Sequence, residues 1–153
     1  MASMTPETAF TYANLLVLPQ WLFMIVAPRW RVTQMLARML PIPMILGGMY
    51  IYYLLIAPVA SGGPGIDFGS FGSLAGVQSL FKGQKEIVLG GWIHYLAFDL
   101  VAGSYVLRDG QSQGIAHGWL IPCLLLCFML GPIGLLLYGL LRMFLGNRTE
   151  TKF

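Results

Sequence analysis

Long apolar runs alternate with short polar clusters along this chain. A spanning helix needs about 20 mostly apolar residues to cross roughly 30 Å of hydrocarbon. Four runs meet that length: about residues 10–27, 40–57, 87–107 and 118–144. The first is interrupted by Asn14, Pro19 and Gln20, the second opens with Pro41 and Pro43, and the fourth carries "GPIG" at 131–134, which predicts tilt or a proline kink. Between the second and third runs, Phe68, Phe71, Leu74, Val77 and Leu80 recur every three residues opposite small polar positions. That pattern predicts a helix over about 68–82, too short and polar to cross, lying in the interface. The expected fold is all-α integral membrane, a single membrane domain over 1–153 with four transmembrane helices and a short interfacial helix between helices 2 and 3.

Composition supports the pattern. The chain is 57 % hydrophobic and 10 % charged, and nine basic and six acidic side chains cannot cover a soluble core. The charges cluster at run ends: Arg29, Arg31 and Arg38, then Lys82 to Glu86, then Arg108 and Asp109, then the tail from Arg142. The net charge of +3 thus points to headgroup anchoring and not to nucleic acid. The arginines of the first connection and Arg108 of the third favour the inner side against Lys82, Lys85, Arg142, Arg148 and Lys152 opposite, and because short early loops weigh most the expected orientation has both termini outside. No signal or transit peptide is evident, suggesting direct insertion into a bacterial inner or photosynthetic, thylakoid-type membrane. Cys123 and Cys127 read as thiols packed in hydrocarbon, and no metal site is expected. The glycines at 62–76 lack phosphate-loop spacing.

"GGWIHYLAFDL" at 90–100 is the chemically unusual stretch. Of the six acidic residues only Asp99 falls inside a run, and a charge at the bilayer centre costs several kcal/mol. His94 and Asp99 flank the midpoint near Ala97. Five positions apart, they lie about 140° round the helix and about 7.5 Å along it, too far round to pair with each other. Each therefore needs its own partner. Gly90 and Gly103, one turn outside each, admit a neighbouring helix. If the first and third runs are parallel, Asn14 lies level with His94 and Gln20 with Asp99. Tyr95 and Trp92 share the Asp99 face, and His117 opens the fourth run. The plain alternatives are a packing histidine at 94, a neutral interhelical clasp at Asp99 and a headgroup-level cap at His117.

Taken together, "ANLLVLPQWLFMIVAPRW" (13–30), "GGWIHYLAFDL" (90–100), "RDG" (108–110), "AHG" (116–118) and "CFMLGPIGLLLY" (127–138) resemble the neoxanthin-synthase-like, or abscisic-acid-deficient-four, family of plant plastids and bacteria. The matching positions are Trp92, His94, Asp99, Asp109, Gly110, His117 and Pro132. The plant pattern follows its Asp-Leu pair with small residues and an arginine, whereas this chain has Val101-Ala102-Gly103-Ser104-Tyr105. The resemblance implies a four-span protein of xanthophyll metabolism. In the plant reaction an epoxide opens, a proton leaves the neighbouring polyene carbon, and an allene with a tertiary alcohol forms. That isomerisation requires an acid and a base in a dry slot and no cofactor. A carboxyl in hydrocarbon is cheaper protonated than ionised, which suits Asp99 as the acid, with His94 as the base. Trp92, Tyr95, Asn14, Gln20 and His117 would contact the substrate. Expected partners are membrane lipids and carotenoid, with membrane-complex proteins also open and nucleic acid excluded. The competing reading is a non-catalytic carotenoid- or lipid-binding small subunit of a larger, photosynthetic membrane complex. A proton-coupled carrier is weaker, because four short runs show no inverted repeat.

Overall fold

The computed structural model describes residues 5–146, so Arg148 and Lys152 of the orientation argument lie outside the described residues. Among the described residues all regular structure is helical. Helix α1 is Pro6–Val26, α2 Arg31–Met39, α3 Pro41–Ile51, α4 Ala57–Ala60, α5 Leu74–Lys82, α6 Lys85–Ser112, α7 His117–Leu130 and α8 Pro132–Leu145. A wider π-helical turn, Tyr52–Ile56, joins α3 to α4, and a 3₁₀ turn, Phe68–Gly72, precedes α5. Among the described residues three stretches are long and apolar enough to cross a membrane: Pro6–Val26, Arg31–Ala60 and Lys85–Ser112.

Local chemistry explains the breaks. Leu40 is left-handed (φ 52°) and ends α2. The ring of Pro41 disfavours right-handed helical backbone at the preceding residue, and proline then suits the first position of α3. The π turn lies just before Pro58, which lacks the N–H that would otherwise reach the Leu54 carbonyl, and the Ala57 amide reaches back five residues to the Tyr52 carbonyl. The 68–82 stretch, expected as one helix, is two pieces. Asp67 caps the 3₁₀ turn by accepting from the Gly69 amide at 2.9 Å, and Ser73 caps α5 by accepting from the Gly76 amide at 3.1 Å. A β-carbon on Gly76 would lie 2.2 Å from the Ser70 carbonyl oxygen, so the pieces fold against each other.

The run at 118–144 differs most from expectation. It is not one long helix but two of 14 residues each, α7 and α8. Each is about 21 Å long, short of the roughly 30 Å hydrocarbon core. The break falls at Gly131, whose φ of +34° lies outside the helical region and precedes Pro132. A β-carbon on Gly134 would lie 2.3 Å from the Cys127 nitrogen and 2.6 Å from the Cys123 carbonyl oxygen. In an unbroken helix residues seven apart are about 10 Å apart, so α8 doubles back along α7. The proline predicted as a kink is a reversal, because small Gly134 lets the two backbones meet.

The chain packs as two compact units. The first takes the chain up to Leu16 and Met44–Ala97. There the starts of α1 and α6 run parallel: Lys85 pairs with Glu7 at 2.7 Å, and Trp92 Nε1 donates to Asn14 Oδ1 at 3.4 Å. Both pairs are offset by 78 positions, and their seven-residue spacing repeats one face of each helix. Leu54 packs over Gly90, Phe81 over Gly91, and Ala9, Ala13, Leu46, Tyr53 and Ile93 form the core.

The second unit takes Val17–Pro43 and the chain from Phe98 onward. The Trp21 ring covers Gly103 and meets Phe128 edge-on at 5.4 Å, while Leu120 covers Gly110. Met24, Ala37, Leu100, Leu107, Leu120 and Leu124 are fully buried around them. The turn after α1 is held by Thr33 Oγ1, which donates to the Ala27 carbonyl at 2.8 Å, and by Gln34 Nε2, which donates to the Pro28 carbonyl at 2.6 Å.

Candidate functional site

Asp99 belongs to the second unit and is only 7 % exposed. It faces the tip of the α7–α8 hairpin: a β-carbon on Gly131 would lie 2.2 Å from Asp99 Oδ1. Only glycine leaves that space for the carboxylate. Beside it opens a cavity of about 560 Å³ lined by Phe98, Val101, Ala102, Tyr105, Pro132 and Leu135. Asp99 is the one ionisable group in an otherwise apolar wall, apart from the tyrosine hydroxyl. The lining is almost wholly apolar, with one carboxyl at its side.

His94 belongs to the first unit, where its ring sits 5.4 Å from that of Tyr50. Trp92 and Tyr95 share that unit. Their rings are 5.4 Å apart, and the Phe10 ring lies 5.6 Å from that of Trp92, tilted against it. Asn14 belongs here too, bonded to Trp92 and donating its own amide to the Phe10 carbonyl at 2.7 Å. Asn14 thus meets α6 at the indole two residues before His94.

Gln20 lies in the second unit, fully buried. Its Nε2 donates to Ser104 Oγ at 3.0 Å, one turn beyond Asp99, and its Oε1 is buried without a hydrogen-bond partner. His117 Nε2 lies 2.8 Å from the Ile25 carbonyl oxygen. A carbonyl only accepts, so the proton sits on Nε2, and the buried Nδ1 is left with no hydrogen-bond partner. His117 therefore ties α7 to the end of α1.

Sequence reasoning missed a second polar centre in this unit. Asp109 Oδ2 accepts a short hydrogen bond from Tyr138 Oη and pairs with Arg142 Nε at 3.1 Å. Tyr138 and Arg142 are four apart on one face of α8, so a single carboxylate serves both. That spacing, opposite an acid at the end of α6, was the available signal. The bonds also bring the end of α8 back to the end of α6, completing the hairpin. Around Asp109 a polar cavity of about 650 Å³ is lined by Gln34, Arg38, Ser104, Arg108 and Gln111 among others. Among the described residues no three His, Cys, Asp or Glu side chains gather as a metal site.

No solved structure matches this chain. The chloroplastic protein ABA DEFICIENT 4 of Arabidopsis thaliana is 28 % identical over 149 residues, covering 93 % of this chain and 64 % of the relative. The chain therefore spans less than two thirds of that relative's length. A family model described as ABA DEFICIENT 4-like matches residues 8–138. That stretch holds Asn14 and Trp92, Asp99, the Gly131 tip and Tyr138. The chain belongs to the ABA DEFICIENT 4-like family.

Proposed function

We propose that this chain is an integral membrane protein of xanthophyll metabolism, in a bacterial or thylakoid-type membrane, that isomerises an epoxy-carotenoid. The observation that carries this reading is the Asp99 carboxyl, buried in the wall of an apolar cavity of about 560 Å³. A polyene fits such a slot, and a carboxyl there is cheapest as the neutral acid. Asp99 donates its proton to the epoxide oxygen, the C–O bond breaks, and a proton leaves the neighbouring polyene carbon. An allene and a tertiary alcohol result, with no net change of atoms or electrons and no cofactor consumed. His94 is the proposed base.

The test is expression in a host that accumulates violaxanthin, with extracted pigments resolved by chromatography. The wild-type chain should form the allenic product, and Asp99→Asn should form none while remaining in the membrane at wild-type amounts. Full product from Asp99→Asn would remove Asp99 from the chemistry, and no product from the wild type would remove the isomerase reading.

A non-catalytic role as a carotenoid-binding subunit of a larger membrane complex is favoured by one other observation. In the first unit Phe10, Val88, Leu89 and Trp92 line a cavity of about 460 Å³, with the Glu7–Lys85 ion pair also in its wall. Flat aromatic walls of this kind suit a conjugated chain. Pigment or partner proteins co-purifying in mild detergent, without turnover, would favour this role.

A further inference from the structure

The arginines of the second unit are more numerous than its acids can satisfy. Arg38 and Arg108 both line the cavity of about 650 Å³ beside Asp109. Asp109 is already engaged by Tyr138 and Arg142. Among the described residues no carboxylate pairs with Arg29, Arg38 or Arg108. Gln34 and Gln111 stand between this basin and a second of about 380 Å³, into which Arg29, Arg38 and His117 face. The two amides bond to each other at 2.8 Å and both donate to the Pro28 carbonyl, at 2.6 Å from Gln34 and 3.2 Å from Gln111. The partition is thus braced by its own bonds, and the cationic side chains on either side are left for something else. The basin also shares Val101 and Tyr105 with the apolar cavity beside Asp99. A polar head in the basin would have an apolar channel next to it.

We infer that this basin seats a phosphate group held by Arg38 and Arg108. Guanidinium groups match tetrahedral oxyanions through paired N–H donors, and two cations without a protein counter-ion more than offset the single negative charge of a phosphodiester. The adjoining apolar cavity suits the phosphate of an acidic membrane lipid, whose acyl chain passes Tyr105, while inorganic phosphate presents the same chemistry. The lipid source rests on the membrane-crossing reading. Neither source depends on the isomerase reading.

The experiment uses the full chain purified in mild detergent. Native mass spectrometry reads retention of phosphatidylglycerol against phosphatidylcholine, and thermal unfolding with inorganic phosphate reads the free anion. Wild type should retain phosphatidylglycerol preferentially or unfold at a higher temperature with phosphate. The first result assigns the lipid and the second the free anion. Arg38→Gln and Arg108→Gln should each weaken the effect about fivefold, as one cation near an anionic surface does. Both residues are exposed, so these variants keep the core. Arg31→Gln, on the same helix as Arg38 but lining neither basin, should behave as wild type. Absence of both effects in the wild type overturns the inference. So does an equal loss in Arg31→Gln, which would reduce it to diffuse surface charge. Because neither readout involves carotenoid, its failure leaves the test of the isomerase reading untouched.

Discussion

At the scale of single residues, glycines mark where backbones meet. Gly134 is pressed against the backbone of α7, with no room for a methyl beside the Cys127 nitrogen, whereas Gly139 on the same helix has nothing within 4 Å. Gly134→Ala should therefore cost about 1–3 kcal/mol through overpacking, and Gly139→Ala should be neutral or slightly stabilising. Thermal unfolding in detergent separates the two, and a Gly134→Ala midpoint equal to wild type would contradict the close approach. Tyr138→Phe removes a hydrogen bond to a carboxylate that is also ion-paired, and should lower stability by about 1.5–3 kcal/mol. Asp99 was legible in the sequence as a lone acid inside an apolar run. Its neighbour Gly131 was not, because the two are far apart in the chain and meet only through the hairpin.

Among the elements, the α7–α8 hairpin departs most from the sequence pattern. An apolar run of that length satisfies the hydropathy condition for a crossing whether or not it turns back. Gly131-Pro132 was legible as an interruption. Whether such an interruption bends a helix or reverses it depends on what the next turn packs against, and here Gly134 packs against Cys123 and Cys127. The hairpin predicts that its two open ends emerge on one face. Single cysteines at Ser112 and Phe144, with Cys123 and Cys127 replaced by alanine, should react with a membrane-impermeant maleimide from the same side of oriented vesicles. Labelling from opposite sides would restore a single crossing. The parallel run of α1 and α6 was closer to legible, since Asn14 and Trp92 sit on matching faces and meet as polar groups in apolar helices do.

For the whole molecule, the decisive property is how much apolar surface stays outside. Leu22, Ile45, Phe98, Leu136 and Phe144 are all more than half exposed, at 58, 53, 62, 65 and 81 %. Soluble monomers do not carry such surface over all of their helices. The protein should remain in the membrane pellet after alkaline carbonate extraction and leave it only with detergent. Recovery in the carbonate supernatant would undo the membrane reading and the lipid source of the phosphate with it. The sequence by itself determined the helical class, the apolar runs, the isolated acid at 99 and the family, because period, composition and motif are properties of neighbouring residues. Only the tertiary structure decided that the last run is a hairpin, that Asp99 lies at its tip, that Asp109 is shared by Tyr138 and Arg142, and that two arginines are left facing a basin. Those facts are contacts between positions far apart in the chain, and they depend on how small residues let particular backbones approach, which no local pattern encodes.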